Sequence, residues 1–393
     1  MRKLSVRGSR VAVLAAFTML VVACGSGSSA SKPGGARPET LRPPTRADLE
    51  RIADSVRRAT NAPGAIVGVQ IADGAPVVVA RGTQDRAGTP LRSNDPFLTA
   101  SVSKAFTAAT VLALVRDGKL TLADSVVQYV PGWDPRITVR MLLDHSSGLR
   151  SWGDKDDPDT AHADLVAADL NRRFTPAEAI EPVRTAPLLA APGTRTHYSN
   201  ANTILLGEVV TAVTGSSIGM AMDRYVVQPL RLRSTGYAPE GLEPRPKISG
   251  ALYIDDAQTT EIETAQYPMT SLLTLSGPAI AVVSDAPDLF SFGDAFLRGE
   301  FPSKHLVTQA RRIAPGGSGL GIIGFTPAGY CIFDGCPARS TFPRIGFAGN
   351  VDGGAVRVVY DSKLDVMVLV FANSNERGKL DSFVVRTFGA LRR

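Results

Sequence analysis

Along residues 45–58 the apolar positions Leu49, Ile52, Ala53 and Val56 fall on one face of a helical wheel, with Asp48 near its start, which predicts an amphipathic helix. Two short runs of β character come next, 65–71 and 76–80, with a turn at Asp73-Gly74 between them. From Ser101 to about Gly118, Val, Ala, Phe and Leu occupy nearly every face, the pattern of a helix buried all round. Residues 120–276 break into helical patches and loops, of which 151–160 is rich in Asp, Gly and Pro. At Arg344 the β pattern returns: runs 354–360 and 366–371 flank a turn at 361–365, and a helix at about 376–391 closes the chain. Strands at both ends with helices between predict an α/β (α+β) fold. One antiparallel sheet drawn from both termini is flanked by helices and carries an inserted, mostly helical region at about 120–276. A site is expected where the two lobes meet.

Residues 1–44 differ in character. Arg2, Lys3, Arg7 and Arg10 precede an apolar run at 11–22 and then Ala23-Cys24, which predicts a secretory signal over 1–23. The run is shorter than the roughly 20 apolar residues that span a bilayer. Val21-Val22-Ala23-Cys24 resembles a bacterial lipobox, in which the cysteine receives a diacylglycerol and becomes the new first residue. Residues 24–44, rich in Gly, Ser and Pro, suit a flexible tether with a mean reach of roughly 25 Å. The expected location is the extracytoplasmic face of the cell membrane, with the globular domain at 45–393 held there by acyl chains.

Without the basic residues of the signal, 39 Lys and Arg face 37 Asp and Glu, so the net charge of +6 for the whole chain overstates a nearly neutral domain. No nucleic-acid partner is implied. Cys331 and Cys336 lie in a Gly/Pro-rich stretch of an exported chain and allow a local disulfide. Their spacing does not suit a zinc knuckle. His162, His197 and His305 lack metal-ligand spacing, and Asp154, Asp156, Asp157 and Asp159 suit a solvated loop better than a calcium loop. No metal and no cofactor is expected.

The chemistry concentrates at Ser101-Val102-Ser103-Lys104. Lys104 is the only charge between Asp95 and Arg116, and a lysine buried without a counter-ion loses its proton readily. Positions i and i+3 share a helix face, so its amine can reach the Ser101 hydroxyl and take its proton. The same spacing recurs at Ser29-Ala30-Ser31-Lys32, but there in the tether, with neither a preceding strand nor a buried helix. Tyr198-Ser199-Asn200 is the only Tyr-x-Asn in the chain, preceded by Pro192-Gly193-Thr194. A tyrosine hydroxyl beside a lysine can relay protons, and an asparagine amide can hold a substrate carbonyl.

With these motifs the chain resembles the serine β-lactamase and penicillin-binding DD-peptidase superfamily, in its class C β-lactamase-like branch, which also contains serine esterases. The resemblance runs from about 48 to 375. It includes Leu120-Thr121-Leu122-Ala123-Asp124, the stretch Ile137 through His145 to Leu149, and the run Val366 to Asn373, similar to the family's last strand. It implies Ser101 as the acyl-accepting nucleophile, Lys104 as its proton partner, Tyr198 as general acid/base and Asn200 beside the substrate. His145 is expected to pack and hydrogen-bond rather than to catalyse. The resemblance leaves both Lys104 and Tyr198 as candidates for the group that first deprotonates the serine.

The third motif departs from the family pattern of Lys or His, a small residue, then Gly. Here it is Phe347-Ala348-Gly349. Gly349 still lets a substrate approach the strand, and the N–H groups of Asn350 and Ser101 are expected to form an oxyanion hole. Phe347 offers no partner to the carboxylate that β-lactams and D-Ala-D-Ala peptides carry. Arg344, an odd number of positions away, points to the other face of a regular strand. The expectation is therefore a serine hydrolase acting on an ester, an amide or a cell-wall peptide, with neutral substrates favoured. The alternative is a lipid-anchored binding protein that keeps the fold and has lost turnover.

Overall fold

In the computed structural model, residues 41–393 are described except 86, 152–168, 242–243, 249–250, 254–260, 264–268, 328, 331–340, 352, 375–378 and 392–393. The signal, Cys24, the tether to residue 40, the aspartate-rich loop, His162, Cys331 and Cys336 fall outside the described residues.

Helix α1 (Arg46–Thr60) starts at a capping box. Thr45 Oγ1 accepts the Asp48 N–H at 3.1 Å, and the Asp48 carboxylate accepts the Thr45 N–H at 2.9 Å. Asn61, in the left-handed region, ends it. The other helices are α2 (Ser103–Arg116), α3 (Val139–Leu143), α4 (Pro176–Thr185), α5 (Asn200–Thr214), α6 (Ile218–Met222), α7 (Thr270–Ser276), α8 (Ala286–Gly293), α9 (Lys304–Ala310) and α10 (Leu380–Ala390). Helical structure thus continues past the boundary expected at 276, through α8 and α9.

The strands are β1 (Gly64–Ile71), β2 (Val77–Gly82), β3 (Phe97–Leu98), β4 (Gly236–Tyr237), β5 (Ala251–Tyr253), β6 (Glu261–Glu263), β7 (Val282–Ser284), β8 (Ile323–Thr326), β9 (Gly329–Tyr330), β10 (Arg344–Val351), β11 (Gly354–Asp361) and β12 (Val366–Ala372). Seven of them form one antiparallel sheet in the order β2-β1-β12-β11-β10-β8-β9. The first strand lies beside the last, with Val67 opposite Val370, so both ends of the domain build the sheet as the sequence predicts.

Both faces of this sheet are covered, which is why β1 and β12 are apolar at nearly every position. Val67, Val69, Val368 and Val370 face α1 and α10, packing on Leu49, Val56, Phe383 and Phe388. Ile66, Leu369 and Phe371 face the helical region. There an aromatic layer fills the joint: Phe97 stacks on Phe371 at 4.1 Å and Phe106 on Phe292 at 4.0 Å between centroids. A second sheet, β3-β7-β4, lies under the turn that leads into α2.

Candidate active site

The segment leaving β3 is held at several points by β7. The Thr99 N–H and hydroxyl both donate to Val282 O at 2.9 Å, and the Val282 N–H donates to Ser103 Oγ at 3.0 Å. Between these anchors Ala100 takes φ +52°, a left-handed conformation that costs a non-glycine residue energy and recurs at functional sites. Residues Ala100–Val102 form one tight 3₁₀ turn, so Ser101 stands just ahead of α2 rather than within it. Lys104 lies on the first turn of α2, and its Nζ reaches Ser101 Oγ at 3.1 Å and Ala279 O at 2.9 Å.

Lys104 is 8% exposed, and its hydrogen bonds among the described residues go to a hydroxyl and a backbone carbonyl rather than to a carboxylate. Burial alone drives its pKa well below the ordinary lysine value, because the low-dielectric surroundings disfavour the ammonium. The Tyr198 hydroxyl donates to Ser101 Oγ at 2.8 Å, and the Lys104 amine lies 5.0 Å from the Tyr198 ring centroid. Serine, lysine and tyrosine therefore converge on one oxygen.

Tyr198 owes its position to the start of α5. Ser199 caps that helix, its Oγ accepting the Ala201 N–H at 3.2 Å and donating to Arg150 O at 2.7 Å. The Ser199 N–H donates to His145 Nδ1 at 3.3 Å, and the buried Asn202 amide approaches the same nitrogen at 2.9 Å. With Nδ1 accepting, the ring proton is assigned to Nε2. Burial, then the charges of Lys104 and His197, push the His145 pKa down to about 3, so the imidazole is neutral. It lies 4.8 Å from the Tyr198 ring and fixes it by packing.

Strand β10 forms the opposite wall. A Cβ on Gly349 would lie 2.2 Å from Thr99 O and 3.2 Å from the Ser101 nitrogen, so only glycine lets the strand touch the turn. Asn350 comes next, with Oδ1 accepting from Arg357 Nη1 at 3.1 Å. Phe347 is 3% exposed, stacked on Phe292 and Phe296, and it lines the hollow in front of Ser101. Arg344 points to the other face as expected: it pairs with Asp361 at 3.0 Å and lies over Phe388 of α10.

The hollow is small, about 30 Å³, and opens to solvent. Ser101, Lys104, Tyr198 and His145 line its polar side, and Ala105, Ile322, Ile323 and Phe347 its apolar side. Among the described residues that line it there is no arginine. Asn200 is at the first position of α5, where its N–H donates to Ser151 Oγ at 3.1 Å, and it is not among the lining residues. Among the described residues no group of three or more His, Cys, Asp or Glu could hold a metal ion. Sequence inspection did not single out Asn202, the Ala279 carbonyl or Arg357. Of these only Arg357 carries a local signal, a charge in the middle of the otherwise apolar run 354–360.

The Beta-lactamase family model matches residues 49–384. Esterase EstB of Burkholderia gladioli is 35% identical over 168 residues, 40% of this chain and 43% of that esterase, so the match spans less than half of the relative's length. Among solved structures, a D-stereospecific amidohydrolase from Streptomyces sp. superposes with a TM-score of 0.71 at 22% identity, covering 87% of this chain and 98% of its own. A penicillin binding protein from Bacillus halodurans gives 0.68 at 22% identity, covering 86% and 99%. At such identities these two structures establish a common fold.

Proposed function

The chain belongs to the Beta-lactamase family, and on that premise we propose that it is a serine hydrolase forming an acyl-enzyme at Ser101, anchored by lipid at Cys24 to the outer face of the cell membrane. Its place is in the class C-like, esterase-containing branch. Two hydrogen bonds carry the proposal: Tyr198 Oη at 2.8 Å and Lys104 Nζ at 3.1 Å from the same serine oxygen. A hydroxyl between a phenol and an amine that burial disposes to lose its proton has a path for its own proton before it has a substrate.

Ser101 Oγ attacks the carbonyl carbon of an ester or amide as its proton passes to the Lys104–Tyr198 pair. The oxyanion that forms is held by the N–H groups of Ser101 and Asn350, each such donor being worth about 10²–10³ in rate. Tyr198 returns a proton to the departing alcohol or amine as the carbonyl–leaving-group bond breaks. Water then attacks the acyl carbon, giving one proton to the same pair, which passes it to Ser101 Oγ as the acyl–serine bond breaks and the acid leaves.

The hollow's lining favours neutral substrates. Phe347 replaces the polar residue that would meet a carboxylate, and Lys104, whose ammonium is disfavoured by burial and whose amine is held by Ser101 and Ala279 O, is a poor substitute. The esterase relative and the D-stereospecific amidohydrolase fold neighbour support ester and amide substrates. The test is a panel of p-nitrophenyl butyrate, a chromogenic β-lactam and a D-Ala-D-Ala peptide, read by kinetics and intact mass. The neutral ester should be turned over fastest, and Phe347→His should raise turnover of the two carboxylate substrates relative to it. An unchanged ratio overturns the substrate assignment, and a persistent adduct that never clears favours a binding protein over an enzyme.

A further inference from the structure

Arg357 lies in the middle of β11, paired across from Ala348, and is 1% exposed. A fully buried guanidinium in a strand reading Gly-Ala-Val-Arg-Val-Val-Tyr needs partners, and it has them on both sides. Its Nε donates to Asp381 Oδ1 on α10 at 2.8 Å. Its Nη1 lies within hydrogen-bond distance of Asn350 Oδ1 at 3.1 Å, Gly349 O at 3.2 Å and Val356 O at 3.0 Å. The same side chain thus ties the terminal helix to the Gly349–Asn350 peptide.

That peptide is the one whose N–H serves the oxyanion hole in the proposed function, on which this inference rests. A planar trans peptide sets its carbonyl and its N–H on opposite sides. Gly349 O is turned toward β11 and Arg357, so the Asn350 N–H is turned toward the other edge of β10. At that edge β8 pairs with Arg344–Gly346, short of Gly349, and the Ala100–Val102 turn packs against Gly349 instead. A charged donor on the carbonyl polarises the peptide and makes its N–H a stronger donor, and the bond to the Asn350 side chain fixes the same plane from its other end.

We infer that Arg357 is a positioning residue for the oxyanion hole, aiming and polarising the Asn350 N–H from the back of the sheet with Asp381 as its brace. It touches no substrate. A purely structural fastener for α10 would set the melting temperature and leave the chemical step alone, whereas a positioning residue sets the stabilisation of the tetrahedral intermediate.

The experiment compares the wild type with Arg357→Met/Asp381→Leu, which removes both charges together so that neither is stranded, and with Arg357→Lys, which keeps a cation for Asp381 but not the fork. For p-nitrophenyl butyrate, kcat should fall by about 10- to 100-fold in the double variant with KM nearly constant, and less in the lysine variant. The affinity of an aryl boronate, whose tetrahedral adduct places an oxygen in the hole, should fall in parallel. A variant that melts earlier but keeps kcat and boronate affinity overturns the inference, as does one unchanged in every respect. A wild type inert to both ester and boronate overturns the proposed function and this inference with it. An active wild type with unaffected variants overturns the role of Arg357 alone.

Discussion

Gly349→Ala tests how closely β10 must approach the nucleophile turn. The new methyl would lie 2.2 Å from Thr99 O, where ordinary contact begins at 3.4 Å. One side must retreat by about 1 Å, and Thr99 is the worse placed to do so: it is fully buried and bonded twice to Val282 O. Strand β10 therefore gives way, carrying the Asn350 N–H back from Ser101. A misplacement of about 1 Å costs on the order of 100-fold in rate, while overpacking of this kind costs roughly 1–3 kcal/mol in stability. The variant should then fold, melt a few degrees lower, and hydrolyse p-nitrophenyl butyrate about 100-fold more slowly with KM little changed. Steady-state kinetics beside a thermal melt reads both. A folded variant with kcat within about twofold of wild type would refute the idea that the glycine sets the distance between oxyanion donor and nucleophile.

Lys104→Met should abolish turnover and stabilise the protein. Burial lowers the lysine pKa in the folded state, so above that lowered pKa the unfolded chain binds the extra proton, and wild-type stability rises as pH climbs from there toward the free value of 10.5. The stability gap between variant and wild type should narrow along that rise in urea melts. His145 works in the acid range. With its folded pKa at about 3 against 6.5 when free, stability is lost as pH falls through that window, by up to about 1.4 kcal/mol per unit. His145→Gln should flatten that loss, and an unchanged slope would move its cause elsewhere. Cys24→Ser should shift the protein from the membrane fraction to the soluble extract, and continued membrane association would remove the lipid anchor.

The residues legible in the sequence are those whose side chains conflict with their surroundings. A lone lysine in an apolar helix and a Tyr-x-Asn in a helical region stand out without any tertiary information, and the fold brings Lys104 and Tyr198 onto Ser101. The sheet was legible because burial on both faces leaves β1, β11 and β12 almost wholly apolar. Other parts depend on contacts that local pattern does not encode. Ala279 acts through its carbonyl, which no side chain advertises. Asn202 matters because α5 turns it toward His145, 57 residues earlier in the chain. Helix α8 did have a start signal, Asp285 as N-cap with a proline just inside, but its apolar sequence reads equally as strand. Arg357 broke the apolar pattern visibly, yet its partners Gly349 and Asp381 come together only across the finished sheet.

Covalent labelling of the protein by a fluorophosphonate, mapped by peptide mass, decides whether Ser101 is the nucleophile activated by Lys104 and Tyr198. One adduct is predicted, on Ser101, absent from Ser101→Ala and formed far more slowly in Lys104→Met. Equal labelling of Ser101→Ala, or an adduct on another residue, would contradict it.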